Sequence, residues 1–375
     1  MKKTKDNIQQ EGLILADKYP QIIYEFATGV GKTLLAILNI EKFGGNWFII
    51  IAETTHKLNW VNEFKKHKKE HLLVNVTFLC YNSLHKYTDG ENYIFDEIHH
   101  IQSPLRINLL QEIKTKNLKR FIGLSATLSK RQKELITESI GYYHVHKVTL
   151  SDAISNSILP EPIMYFIGIE LNDIIKTSKY YFNKDKFITC TEKEYYTRIS
   201  NRIESLKNRY FGTGTFYDKI NWLKTANDRK KFIANCKTAS ARILLRKLES
   251  KKLICFTNSI EQSESLSKGL SIHSKLSKTT RECLLNDFNN NIITKLFATG
   301  MLREGVNLEG IEAGIIIQLD NQERMFSQIT GRTLRALFPE QYVLYIKDTQ
   351  DEVYVQTVLE GFNMNYVRFV NLDSI

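Results

Sequence analysis

The segment that most restricts the fold is Ile22-Ile-Tyr-Glu-Phe26. This apolar run ends directly on Ala27-Thr-Gly-Val-Gly-Lys-Thr33, which opens a helix-length stretch at 33–43. A buried strand, a glycine turn and a helix in that order make one βα unit. The unit recurs. Short apolar runs at 48–52, 74–80, 93–95 and 121–124 alternate with helix-length segments such as 57–67. A second alternating half begins clearly at Leu253 and continues through runs at 295–298, 313–318 and 342–346; the tail, 351–375, predicts a helix and a closing strand. Strands alternating with helices predict βαβ crossovers and parallel sheets, so the fold class is α/β. Two prolines, Pro160 and Pro162, mark a boundary between the halves. The predicted domains are 1–157 and 158–375, the second including a helical insertion at about 171–240.

A chain of 375 residues is too long for one small domain. No apolar stretch approaches the roughly 20 residues of a membrane-spanning helix, and no secretory signal is expected after Met1-Lys-Lys-Thr-Lys-Asp-Asn7. The five cysteines form no CxxC pair, so neither a zinc knuckle nor a disulfide framework is expected, and buried reduced thiols are. The net charge is +11, which suggests a polyanionic partner. It is local. Between 176 and 253 stand 20 Lys or Arg against 7 Asp or Glu, more than the whole surplus. Aromatic residues interleave there, and rings and cations together suit unpaired bases and phosphates. The alternative is an insertion whose rings form its own small core; both readings stay open. Phe211-Gly-Thr-Gly-Thr215 reads as a flexible turn within it.

Three motifs carry chemistry. In Thr28-Gly29-Val30-Gly31-Lys32-Thr33 the glycines let backbone N–H groups face phosphate at a helix N-terminus. Lys32 then reaches the β- and γ-phosphates, and the Thr33 hydroxyl binds Mg²⁺. The alternative is a glycine-rich turn with a chance lysine. Asp96-Glu97 ends an apolar strand; Asp96 is placed to hold Mg²⁺ and Glu97 to polarise the attacking water, although such a pair is also common as a solvated turn. Gln328-Ile-Thr-Gly-Arg-Thr-Leu-Arg335 puts Arg332 and Arg335 on one helical face, as arginine fingers or as an exposed basic face.

In order along the chain, these strings resemble the motifs of superfamily-two helicases and translocases. Residues 27–33 resemble motif I, Asp96-Glu97-Ile98-His99 motif II of the DExH pattern, and Ser125-Ala126-Thr127 motif III. Residues 254–260 resemble motif IV, 297–310 motif V, and Gln328, Gly331, Arg332 and Arg335 motif VI. Asn307 stands where motif V usually has Asp. The resemblance implies two tandem RecA-like domains with ATP and Mg²⁺ as cofactors. It makes Glu97 the catalytic base, Gln328, Arg332 and Arg335 its γ-phosphate partners, and His99 with Ser125–Thr127 the coupling segment.

Asn59-Trp-Val-Asn-Glu63, Cys80-Tyr-Asn-Ser-Leu84 and Gln9-Gln-Glu-Gly12 are similar to segments of Swi/Snf-type and phage UvsW-type DNA helicases. That similarity implies Gln9 near adenine, and a DNA helicase or translocase acting on branched or duplex DNA. Arg198, Arg202 and Arg209 in the basic interval, and Thr299 in the motif V string, are expected to contact nucleic acid. DNA is expected over RNA as partner, with a monomer working in the cytoplasm of a bacterium or a phage-infected cell, away from membrane. A DExH RNA helicase, or an ATP-gated motor subunit of a restriction or defence complex, remains the alternative.

Overall fold

The computed structural model describes residues 3–182, 186–299, 308–319, 339–360 and 363–375. These divide into two compact units, with the chain passing from the first to the second between Glu161 and Pro162.

The first unit is built on a six-stranded parallel sheet. Its strands are β1 (Gln21–Phe26), β2 (Trp47–Ile51), β3 (Val76–Cys80), β4 (Asn92–Phe95), β5 (Arg120–Ser125) and β6 (His144–Val148), in the order β3-β2-β4-β5-β1-β6. Every pairing is parallel, because helices carry the chain back between strands. All of β4 is buried and β1 is buried from Ile22 to Phe26, as in a sheet covered on both faces. The covering helices are α1 (Lys5–Lys18), α2 (Lys32–Phe43), α3 (Thr55–Lys66), α4 (Pro104–Thr115), α5 (Lys130–Ile140) and the short α6 (Leu150–Ser155). Thr4, Ser129 and Thr149 start α1, α5 and α6 as capping boxes. On one face Ile23, Phe95 and Phe121 pack with Leu110, Ile113 and Ile136 of α4 and α5.

The second unit has a seven-stranded parallel sheet: β7 (Ile163–Ile169), β10 (Leu253–Phe256), β11 (Ser271–Ile272), β12 (Lys295–Ala298), β13 (Ala313–Ile316), β14 (Glu340–Ile346) and β15 (Val367–Val370), ordered β11-β12-β10-β13-β14-β7-β15. The sequence reading started this half at Leu253 and missed β7. Met164-Tyr-Phe-Ile167 beside two prolines reads as a boundary, yet β7 pairs with both β14 and β15. The basic interval is therefore an excursion from within the second sheet.

Nor is the excursion purely helical. It opens with an antiparallel hairpin, β8 (Ser178–Tyr181) with β9 (Phe187–Cys190), then α7 (Glu192–Thr213) and α8 (Phe216–Cys236). The supposed flexible turn is short. Residues 211–213 extend α7, Gly214 takes a left-handed conformation at φ 67°, and Thr215 caps α8. After α8 come α9 (Thr238–Lys247), α10 (Ile260–Ser267), α11 (Lys278–Asn289) and α12 (Gln350–Leu359). Between α8 and α9, Lys237 is fully buried. Its Nζ donates to Asp351 Oδ2 (2.6 Å), Gln318 Oε1 (2.9 Å) and the Leu344 carbonyl (3.2 Å). Of the thiols expected to be buried, Cys190 and Cys255 are, whereas Cys283 is exposed. Among the described residues no helix is long and apolar enough to cross a membrane.

Candidate functional site

In the first sheet β5 lies between β4 and β1. Parallel strands bring three segments side by side at their carboxyl ends: Ala27–Gly31 after β1, Ser125–Thr127 closing β5, and Asp96–Glu97 after β4. That edge is where open α/β sheets bind ligands.

The loop after β1 turns on two glycines, Gly29 at φ 91° and Gly31 at φ 107°, conformations that L side chains resist. Gly31 caps α2, which begins at Lys32, one residue before the expected start. Thr28, Gly29, Lys32 and Thr33 are part-exposed and Val30 is buried. Lys32 Nζ donates to the Phe26 carbonyl across the turn at 2.7 Å. Gln9, buried on α1, donates from Nε2 to the carbonyls of Gly31 (3.2 Å) and Val30 (3.5 Å). A Cβ on Gly31 would stand 2.7 Å from that nitrogen. Gln9 thus props the loop from below, and its Oε1 is buried with no hydrogen-bond partner among the described residues.

Asp96 is held by residues the sequence reading had used only to choose among branches. Trp60 Nε1 on α3 donates to Asp96 Oδ2 at 2.9 Å, and the Tyr81 hydroxyl donates to the backbone carbonyl of Asp96 at 2.9 Å. Burial pushes the Asp96 carboxyl above the ordinary carboxylate value, and Glu97 adds to this; Trp60, His56 and Lys32 pull against it. Glu97 sits in a left-handed conformation at φ 50°, ψ 56°, unusual for a side chain with a Cβ. Its Oε2 lies 3.3 Å from His99 Nδ1, which also lies 3.3 Å from Ser125 Oγ. Ser125 Oγ donates to the Thr127 carbonyl (3.1 Å), and Gln132 Nε2 of α5 to the His99 carbonyl (3.2 Å). His99, Ser125 and Ala126 are buried. Glu97, His99, Ser125 and Thr127 therefore form one polar line from β4 to β5. Trp60, Tyr81, His56 and Gln132 had been given no role at the site, and only Trp60 and Tyr81, in segments that carry a family resemblance, offered a signal.

This edge suits a triphosphate with Mg²⁺: a cation, a glycine turn and two carboxylates converge, and a buried amide oxygen lacks a partner. Among the described residues no group of three His, Cys, Asp or Glu side chains gathers to make a protein-only metal cage. Mg²⁺ needs none, since one or two carboxylates, phosphate and water suffice.

In the second unit Thr299 follows β12. Its hydroxyl lies 2.8 Å from that of Thr257 after β10 and donates to the Ser259 carbonyl at 3.2 Å. The structure thus ties the two loops together at the carboxyl ends of adjacent strands. Gln328, Arg332, Arg335 and most of 297–310, Asn307 included, lie outside the described residues. Arg198, Arg202 and Arg209 are exposed along α7. Arg209 approaches Asp218 at 3.9 Å, and Arg202 lines a cavity between α7, α8 and β8.

Residues 231–337 match the model of the helicase conserved C-terminal domain. The structure is similar to the Hef helicase domain of Pyrococcus furiosus, with TM-score 0.51, 14% identity, and 93% of this chain and 97% of that one covered. It is similar also to an S. cerevisiae Dbp5 variant bound to RNA and ADP BeF3, with TM-score 0.63, 12% identity, and 98% and 90% covered. No curated protein sequence matches the chain. The fold is that of two RecA-like domains in tandem, as the resemblance implied.

Proposed function

We propose that the protein is a nucleic-acid-dependent ATPase of superfamily-two helicase type, which couples ATP hydrolysis to movement on DNA. The carrying observation is the convergence on one sheet edge of the Gly29–Gly31 turn with Lys32, the Asp96–Glu97 pair and the His99–Ser125 line. In this reading backbone N–H groups of the loop and Lys32 bind the phosphates, and Gln9 keeps the loop in shape. Thr33 and Asp96 hold Mg²⁺, which when bound offsets charge on the phosphate oxygens. Glu97 accepts a proton from the attacking water, oriented by His99. Gln328, Arg332 and Arg335, as the motif resemblance implies, act on the γ-phosphate, and His99 with Ser125–Thr127 transmits the nucleotide state.

The DExH assignment draws support from His99 lying against both Glu97 and Ser125. The DNA preference draws on Trp60 and Tyr81, whose segments resemble those of DNA helicases and which both touch Asp96. An RNA substrate is the second reading, favoured by the likeness to RNA-bound Dbp5. ATP hydrolysis measured with single-stranded DNA, duplex, forked DNA and RNA separates them, and forked or duplex DNA is expected to stimulate most. Lys32→Ala and Glu97→Gln are each expected to lower stimulated hydrolysis by about 10²-fold or more. Wild-type turnover in both variants would end the ATPase reading.

A further inference from the structure

The insertion carries a half-open cavity of about 530 Å³ that the motor motifs leave unassigned. Its walls come from β8, α7 and α8. The volume lies within the about 300–1,000 Å³ typical of ligand sites. Tyr195 and Phe232 stack at 4.1 Å between centroids on one wall, and Tyr180 meets Tyr195 edge-on at 5.6 Å. Tyr181, also in the lining, is 50% exposed. Three cations, Arg202, Lys224 and Lys231, share the lining with a single carboxylate, Asp228. All three are exposed, and none is ion-paired among the described residues. Three other cations of the insertion lie near acids: Lys193 near Asp173, Lys207 near Glu204 and Arg209 near Asp218. Part of the positive charge of this segment is thus left unbalanced where aromatic faces are available.

That pairing narrows the occupant. A simple anion would use the cations and leave the rings idle, whereas an apolar ligand would leave three charges unmatched. One unit of a polynucleotide uses both, since phosphate takes the charge and a base face takes the ring. We propose that the cavity receives one unpaired nucleotide of a nucleic-acid strand. Its phosphate lies on Arg202, Lys224 and Lys231, and its base lies against Tyr181 and Tyr195. The assignment rests on the motor reading only in taking nucleic acid as the partner.

The test is strand binding by the full chain without ATP, read by fluorescence anisotropy. The probes are labelled oligo-dT, oligo-U, an abasic strand of the same length and a blunt duplex, with unlabelled AMP as competitor. Tyr181→Ala is expected to weaken oligo-dT or oligo-U binding about tenfold and to leave the abasic strand unchanged, while Tyr181→Phe restores wild-type affinity. Arg202→Ala with Lys231→Ala is expected to weaken every single strand and flatten the salt slope by about 0.7 per lost phosphate contact. Whichever of oligo-dT and oligo-U binds tighter identifies the strand. A 5-iodouracil base in the probe is expected to crosslink to Tyr181 or Tyr195. The proposal is overturned by unchanged affinity in Tyr181→Ala, by equal weakening of the abasic strand, by AMP displacing the strand near its own concentration, or by crosslinks solely outside the insertion. Lys32→Ala is expected to bind strands like wild type here. Loss of ATPase stimulation therefore bears on the motor, and loss of base dependence bears on the cavity.

Discussion

A carboxylate removed from water is kept ionised only by what touches it. Asp96 is in that position: burial and Glu97 raise its pKa, and Trp60, His56 and Lys32 offset only part of that. A folded-state value above the unfolded one means that its contribution to stability is lost as pH rises through the raised value. When ionised, the carboxylate therefore works against the fold. Asp96→Asn keeps an oxygen to accept from Trp60 and removes the charge. It is expected to raise the thermal midpoint, while hydrolysis is lost. A lower midpoint in calorimetry would show that the charge is stabilised better than its contacts suggest. Trp60→Phe removes the donor and leaves Asp96 in place, so about 1–3 kcal/mol of stability should go with it. Denaturant midpoints of the two variants, moving in opposite directions, make the check.

Among the elements, β6 and the α8–α9 junction depend most on single buried groups. His146 on β6 packs edge-on against Phe26 at 4.9 Å, with Nε2 3.9 Å from Glu11. Burial lowers its pKa, Glu11 opposes this, and Lys3 and His144 add to the lowering. For a histidine so shifted, the unfolded chain binds the proton first, so stability falls as pH drops below about 6.5. Denaturant melts from pH 7.5 to 5.5 are expected to show this decline, and His146→Phe to flatten it. At the junction, Lys237→Met leaves Asp351 charged and buried, and about 3–5 kcal/mol is expected to be lost. Adding Asp351→Asn should recover part of that loss in a double-mutant cycle.

The same elements show why some of the molecule was legible and some was not. Strands such as β10 and β12 are continuous apolar runs between helices, and their bounds could be read directly. β7 is equally apolar, but Pro160 and Pro162 beside it signal a break, and nothing local shows that β14 lies next to it. The glycine turn and Asp96–Glu97 were readable because each is a short run of distinctive residue types directly after an apolar strand. The supports were not: Gln9 under the loop and Trp60 on Asp96 are contacts between distant segments, and a single sequence does not display them. The aromatic residues of the insertion divided. Tyr180 and Tyr195 pack with Ile199 and Ile203 in a small core, while Phe211, Phe216 and Tyr217 stand exposed where α7 meets α8. The reading of these rings as a small core therefore holds for part of the segment, and spacing does not separate one group from the other.

For the whole molecule, the surplus charge belongs to the insertion and the proposed phosphate site to the edge of the first sheet, so binding and turnover should be separable. Arg198→Glu, Arg202→Glu and Arg209→Glu together are expected to weaken nucleic-acid affinity and reduce its salt slope by about 2–3, with hydrolysis in the absence of nucleic acid unchanged. Titration at several salt concentrations, beside basal turnover, provides the measurement.

The position of β7 has a kinetic consequence. Its ladder to β14 pairs Ile163 with Glu340, across the insertion and four other strands of the same sheet. The first unit's sheet closes entirely from residues before Glu161. A growing chain can therefore complete the first sheet while β7, already synthesised, waits for neighbours that come much later. Long-range pairing slows folding, and domains generally fold as units. Pulsed hydrogen exchange during refolding should protect β1 and β5 well before β7 and β14. In the interval β7 presents an unpaired apolar edge, so the second unit is the place where aggregation would begin.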